Sequence, residues 1–399
     1  MAPPIPLAEA QARLLALANP LAAEELPLEQ ALGRYLASDL AAKRTQPPFD
    51  LSAMDGYAVC GDDLAGPWRV IGESAAGHPF AGELATEEAI RISTGAVMPK
   101  GAGAVLLQEN ATREGDRLSL NGEGDPTPAH IRRAGFDFRE GDVLLPAGSR
   151  LGPAQVALAI SGGHGTASVH ALPRLAVLDN GDELAADPEN CAPGQIPASN
   201  GAMLTAMAST HVASVLRLGP VPDRLEAMTA ALEQAGDADV IVTSGGASVG
   251  DHDLVRPAIE AWGGTLDFWR VAIKPGKPLL VARKGRQVVL GLPGNPVSSF
   301  VTAQLFLLPL LRKLGGASNP LPRVIDACLD GTLSPGGARL EFLRARWRDG
   351  RLRPISEQDS SALRALAAAD ALLERPIDAP AAEDGDPVRA YLLDNGGIA

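Results

Sequence analysis

Residues 239–253 read DVIVTSGGASVGDHD, an apolar β-branched run followed by glycines, two serines and two aspartates. Val240, Ile241 and Val242 suit a buried strand, while Gly245, Gly246 and Gly250 permit left-handed backbone and a close approach to a ligand. The stretch LVRPAIEAW has helical spacing, and Asp251 or Asp253 could cap it, so the unit reads as strand, loop, helix. Backbone amides at such a turn favour an anion. The spacing matches neither the Gly-Lys-Ser/Thr phosphate loop nor Gly-x-Gly-x-x-Gly. A plain turn between strand and helix is the bland alternative.

Three other stretches carry compatible chemistry. WRVAIKPGKPLL sets Arg270, Lys274 and Lys277 around a Pro-Gly turn. LGLPGNPVSS repeats the pattern of strand, stiff loop and helix start, with Asn295 and Ser298 as hydrogen-bond donors. LDNGDEL closes an apolar run with Asp179, Asp182 and Glu183. Lysines, amide-rich loops and carboxylates at one sheet edge are what a polyphosphate with a divalent cation requires, because metal and lysines share the neutralisation. Taken singly, the lysines could be a solvated turn and the aspartates helix caps.

The elements that must position these groups follow from periodicity. From residue 173 to about 316, strand-like runs (RLAVLD, VASVLRLG, DVIVTS) alternate with helix-like ones (GAMLTAMAST, RLEAMTAALEQA, LVRPAIEAW), which predicts a parallel α/β sheet with helices on both faces. Ligands of such sheets sit beyond the carboxyl ends of the strands, where the loops above fall. Residues 6–42 show helical patterning in AEAQARLLALA and LEQALGRYLASDLAA, and residues 46–135 read as a small β module of short apolar runs between Gly and Pro. The expected division is a helical or mixed unit from residues 1–45 plus 136–172, an inserted β module at 46–135, an α/β domain at 173–316 and a C-terminal β domain at 317–399.

A length of 399 residues is too great for one core. The formal net charge of −13 argues against a general binder of nucleic acid or membrane surfaces. Cys60, Cys191 and Cys328 lie far apart and the histidines lack zinc spacing, so disulfides and structural zinc are not expected and a reducing cytoplasm fits. The N-terminus has no basic leader, and no apolar run approaches the roughly 20 residues of a membrane span.

In order and spacing, SAMDGYAV, RISTGAVMPKGAGAVLLQE, NGDEL, TSGGASVGDHD, AIKPGKP and GLPGNPVSS resemble the molybdopterin molybdenumtransferase family, called MoeA in bacteria and represented in animals by the E domain of gephyrin. The resemblance spans nearly the whole chain. It implies an L-shaped homodimer of four-domain subunits and an activity that inserts molybdate into adenylylated molybdopterin, cleaves the adenylate with the help of a divalent cation such as Mg²⁺, and releases AMP and molybdenum cofactor. The family's catalytic positions fall on Asp55, Thr94, Asp137, Glu183, Asp223 and Asp253, with Glu183 and Asp253 as metal ligands.

The resemblance assigns ligand binding to Ser244, Gly245, Gly246, Ser248 and Gly250 for the pterin end and phosphates, and to Pro293, Gly294, Asn295 and Pro296 in the second loop. Lys274, Lys277 and Ser298 would face molybdate or the terminal phosphate, and Arg344 with Ser360 or Ser361 would meet an oxyanion. Asp55 and Thr94 would serve the α/β site of the other subunit. A molybdopterin adenylyltransferase and cofactor-accepting enzymes are the implied partners. Asp179 and Asn180 depart from the small hydroxyl pair usual before Gly-Asp-Glu and add negative charge. The rival readings are a molybdopterin adenylyltransferase, which would need only the α/β domain, and a non-catalytic scaffold.

Overall fold

In the α/β unit a six-stranded sheet forms from β1 (Arg174–Asn180), β2 (Ser214–Val221), β3 (Val240–Ser244), β4 (Thr265–Trp269), β5 (Leu280–Lys284) and β6 (Gln287–Leu292), in the order β2-β1-β3-β6-β5-β4. The computed structural model describes residues 3–245 and 254–393. Strands β2, β1, β3 and β6 run parallel, but β5 is antiparallel to β6 and β4 to β5. The sheet is therefore mixed, where alternation of strands and helices predicted a parallel one. The cause is local: Gly285 at φ +60° turns the chain directly from β5 into β6, with no room for a crossover helix.

The strands of the sheet's centre are buried on both faces. On one face Val177, Val242 and Leu290 pack with Leu204 and Val301; on the other Ala176, Ile241 and Val289 pack with Met228 and Ile259. Alternate residues of each strand thus enter different cores, which explains why these strands are continuously apolar. The helices are α1 (Asn200–Ala208), α2 (Leu225–Gln234), α3 (Val255–Ala261) and the run from Pro296 to Leu314, which opens as α4 (Pro296–Thr302) and passes through a π turn at Ala303–Leu307. Among the described residues this 19-residue run alone is long and apolar enough to cross a membrane, and 83% of its 18-residue apolar stretch is buried inside the protein. It is a core helix.

Helix Leu7–Ala16 forms as its pattern predicts and buries Ala10 and Leu14 in the same core as Val301 and Phe306. Gln11 donates from Nε2 to the Leu305 carbonyl at 2.9 Å, inside the π turn where the helical ladder is interrupted. The second expected helix, LEQALGRYLASDLAA, does not form. Residues Leu28–Gln30 make one 3₁₀ turn, Gly33 adopts φ +82° and Leu40–Ala41 pair as a strand with Val143–Leu145. Tertiary burial overrides propensity here, since Leu28, Ala31, Leu36 and Leu40 all reach one core with Leu145 and Val169 along an extended path.

A second six-stranded sheet runs Ala102–Leu107, Gly56–Cys60, Glu88–Ile92, Trp68–Ser74, Arg117–Leu120, Ala111–Glu114. At the C-terminal end, strands 340–348, 351–354, 324–329, 387–392 and 371–375 pair in sequence, and 371–375 pairs back onto 340–348, so this sheet closes as a small barrel. Ile273–Lys274 adds to it in parallel alongside Leu340–Glu341, tying the barrel to the α/β unit.

Candidate active site

A cleft of about 840 Å³ opens at the carboxyl ends of β1, β3 and β6, the edge at which parallel α/β sheets bind ligands. Its floor is built from buried polar groups: Asp179 and Asn180 end β1, and Ser244 ends β3 beside Asp179 in register. Among the described residues Asp179 Oδ1, Asn180 Oδ1 and Ser244 Oγ have no hydrogen-bond partner. Buried groups of this kind cost free energy unless something satisfies them, so three at one cleft floor mark a ligand surface.

Asp179 is fixed from its other oxygen. Arg217, on the neighbouring strand β2, donates from Nη2 to Oδ2 at 3.3 Å, and the Gly201 amide in the first turn of α1 donates as well. A Cβ at Gly201 would stand 2.0 Å from Asp179 Oδ2, so only glycine lets the carboxylate reach the helix start. Burial pushes the Asp179 carboxyl above its ordinary range, while Arg217 and the Gly201 amide oppose it. The charge this residue adds to an anion site is thus partly countered on the spot.

The cleft rim carries the acidic groups. Glu183 follows β1 and its carboxylate folds back over Gly181, whose φ of +147° leaves the space. Asp223 faces Asp182 through reciprocal bonds: the Asp223 amide donates to Asp182 Oδ1 at 3.1 Å and the Asp182 amide to Asp223 Oδ2 at 3.4 Å. These two turns, after β1 and β2, therefore hold each other. On the opposite wall lie Pro293, Gly294, Asn295, Pro296 and Ser298. Asn200 Nδ2 donates to the Gly294 carbonyl at 2.7 Å, locking the loop after β6 to the start of α1.

The barrel closes one side. Ser361 lines the cleft, and Asn295 Nδ2 donates to Ser360 Oγ at 2.8 Å. Arg344 lies beneath rather than within the wall: it is fully buried and donates from Nη2 to the carbonyls of Glu357 at 2.9 Å and Asp359 at 3.1 Å. Its contact with the cleft runs through the 357–361 loop that it holds.

Of the residues singled out from sequence, Glu183, Asp223, Ser244, Gly245, Pro293, Gly294, Asn295, Pro296 and Ser298 meet in this cleft. Gly246, Ser248, Gly250 and Asp253 lie outside the described residues. Lys274 is not in the wall; it is exposed and ion-paired with Glu341 at 3.0 Å, a consequence of the strand pairing between 273–274 and 340–341. Lys277 is exposed beside Pro278, which does line the cleft. Asp55 and Thr94 are joined to each other in the β module, and Asp137 is an exposed residue whose amide donates to the Gln46 carbonyl. Arg217 and Gly201 escaped sequence reasoning, since an exposed arginine on an edge strand and one helix-start glycine carry no motif.

Among the described residues no three metal-ligating side chains converge. Glu183 and Asp223 at the rim nevertheless suit Mg²⁺, which takes one or two carboxylates and completes its shell with substrate phosphates and water.

Comparison with known proteins agrees over the whole chain. Residues 5–163 match the model of the MoeA N-terminal region (domain I and II), residues 176–313 that of a probable molybdopterin binding domain, and residues 327–393 that of the MoeA C-terminal region (domain IV). A molybdopterin molybdenumtransferase of Haemophilus influenzae is 36% identical over 85% of this chain and 85% of its own length. One from Bacillus subtilis is 32% identical over 98% of this chain and 94% of its own. The crystal structure of a molybdopterin biosynthesis moeA protein from Pyrococcus horikoshii superposes with a TM-score of 0.84 at 30% identity, covering 98% of this chain and all of that one. With its cleft, its barrel and its β module all matched in order, the chain belongs to the molybdopterin molybdenumtransferase (MoeA) family.

Proposed function

We propose that this protein inserts molybdenum from molybdate into adenylylated molybdopterin, cleaving the adenylate and releasing AMP and molybdenum cofactor. The observation that carries the reading is the gathering of Ser244, Gly245 and the 293–298 loop around one cleft at parallel strand ends, in a chain that transferases of that name match nearly end to end. An adenylyltransferase would need only the α/β unit, whereas relatives match the β module and the barrel too.

In this reading the unpartnered oxygens of Asp179, Asn180 and Ser244 receive donors of the pterin end, and backbone amides of the 244–250 and 293–298 loops hold the phosphates. Lys277 and Ser298 attract molybdate, a tetrahedral dianion, and Lys274 joins them on release from Glu341. Arg344 acts as a positioning residue that presents Ser361. Glu183, with Asp253 or Asp223, would hold Mg²⁺; bound there, the ion would neutralise phosphate charge and favour departure of the adenylate. Without a cation these carboxylates would oppose an anionic ligand in the cleft, and Mg²⁺ held there would offset their charge.

Asp55 and Thr94 are assigned to the site of a second subunit in a cytoplasmic homodimer and Asp137 is kept as a catalytic position, with an adenylyltransferase supplying the substrate and dependent enzymes accepting the product. The test is a reconstituted assay with adenylylated molybdopterin, molybdate and Mg²⁺, following AMP and cofactor together. Equimolar AMP and cofactor are expected; synthesis of adenylylated molybdopterin from ATP with no cofactor would reverse the assignment to the adenylyltransferase.

A further inference from the structure

We propose that a second cavity, separate from the cleft, binds a tetrahedral oxyanion of the phosphate class. This cavity, of about 610 Å³, forms where the N-terminal unit, the α/β unit and the segment leading to the barrel meet. Arg150 comes from the first, His211 and Arg312 from the second and Arg323 from the third, with Tyr35 and Asn319 completing a polar wall that contains no carboxylate.

The concentration of charge is the unusual feature. The chain carries 48 acidic against 35 basic side chains, so guanidinium groups ordinarily find carboxylates nearby. Here, among the described residues, the side-chain hydrogen bonds are few: Arg150 donates from Nε to the Gly33 carbonyl at 3.3 Å, and Arg312 from Nη1 to the Pro320 carbonyl at 3.5 Å. Each guanidinium has five donors, so most of this capacity is not taken up by side-chain bonds to the described residues.

The groups are close enough to feel one another. Burial, followed by the fields of Arg312 and Arg150, pushes the buried His211 imidazole down to about 4. At neutral pH the positive charge is therefore that of the arginines, and like charges held together without an acid raise the energy of the fold. A dianion relieves that repulsion and accepts forked donation from several guanidinium groups at once, which is the geometry arginine satisfies better than lysine. The hydroxyl of Tyr35 and the amide of Asn319 supply neutral donors beside it. Because the three contributing segments belong to different parts of the chain, a bound anion would also fasten them to one another.

The experiment is calorimetric titration of the whole protein with inorganic phosphate and, separately, with AMP, at ionic strength matched by chloride. The parent and the Arg150→Gln/Arg323→Gln double variant, both changed at exposed positions, are compared. A saturable site in the parent, weakened about tenfold or more in the variant, is the expected result. Stronger binding of AMP identifies a phosphate monoester as the occupant, and equal binding the free ion. Occupancy of the main cleft is distinguished by Ser361→Ala, which should leave this site unchanged. Absence of saturable binding by the parent, or equal binding by the double variant, would overturn the proposal. If the double variant loses its fold, Arg323→Gln alone gives the same comparison.

Discussion

The carboxylate of Asp55 accepts the backbone amide of Thr94 at 2.7 Å, joining the turn before strand Gly56–Cys60 to the turn after strand Glu88–Ile92. Antiparallel register produces the contact: Gly56 stands opposite Ile92, so the residue before one strand and the residues beyond the other fall at the same edge. Two motifs separated by 39 positions thus form one unit.

That unit is exposed, and its hydrogen bond is worth about 1 kcal/mol net to stability. Asp55→Ala should accordingly fold with little change and yet lose nearly all activity if Asp55 serves a partner's cleft. Mixing Asp55→Ala with Glu183→Ala subunits should restore up to one intact site per mixed dimer. A fully active monomer in sedimentation, or no recovery in stable mixed dimers, would refute shared sites.

Gly201→Ala should destabilise the α/β unit by about 1–3 kcal/mol, because the new methyl would collide with the Asp179 carboxylate at the start of α1. Asp179→Ala removes every colliding atom, Cγ at 2.7 Å as well as Oδ2 at 2.0 Å. The Gly201→Ala/Asp179→Ala double variant should therefore lose less than the sum of the two single variants, giving a favourable coupling energy in urea denaturation. Additive losses would show that Gly201 is required for a reason other than this close approach.

These two sites differ in how far sequence revealed them. The strand-loop-helix units around Ser244 and Asn295 were legible because buried parallel strands are apolar without alternation and their loops concentrate Gly, Pro and Asn. The direction of β5 was not, since a strand looks alike whether it runs up or down and only the tight turn at Gly285 decides. LEQALGRYLASDLAA kept helical spacing while its leucines were drawn into an extended path by Val169 and Leu145. Lys274 looked like a free cation in AIKPGKP because the pairing that places Glu341 beside it spans 67 residues. The Arg217 contact to Asp179 likewise depends on the neighbouring of β1 and β2, which local pattern does not encode.

His211 supplies a pH signature. Its folded-state value of about 4 lies below the ordinary 6.5, so between these values the unfolded chain binds the proton and the folded one does not. Stability contributed by the neutral imidazole is present above pH 6.5 and falls as pH drops toward 4, by about 3 kcal/mol if the site stays intact. His211→Gln should flatten that part of the acid limb in thermal melts taken from pH 7 to pH 4. An unchanged limb would mean that the cavity opens and hydrates the ring before it titrates.

The rim carboxylate Glu183 offers the most direct test of the metal. It is exposed, caps no helix among the described residues and lies beside a cleft whose floor already carries the Asp179 carboxyl, so by itself it opposes an anionic ligand. A cation reverses that sign, because Mg²⁺ accepts the carboxylate and the substrate phosphate in one shell. Glu183→Gln keeps the size and hydrogen-bonding reach of the side chain but removes its charge. If Glu183 holds the ion, this variant should need at least about tenfold more Mg²⁺ for half-maximal AMP release, with stability unchanged within about 0.5 kcal/mol. If the carboxylate instead merely burdens anion binding, the variant should bind adenylylated molybdopterin more tightly and show the parental Mg²⁺ midpoint. Titrating Mg²⁺ at fixed substrate separates the two outcomes: tighter binding without metal is expected of both, because the charge is gone in either case, whereas only an ion held by Glu183 moves the Mg²⁺ midpoint.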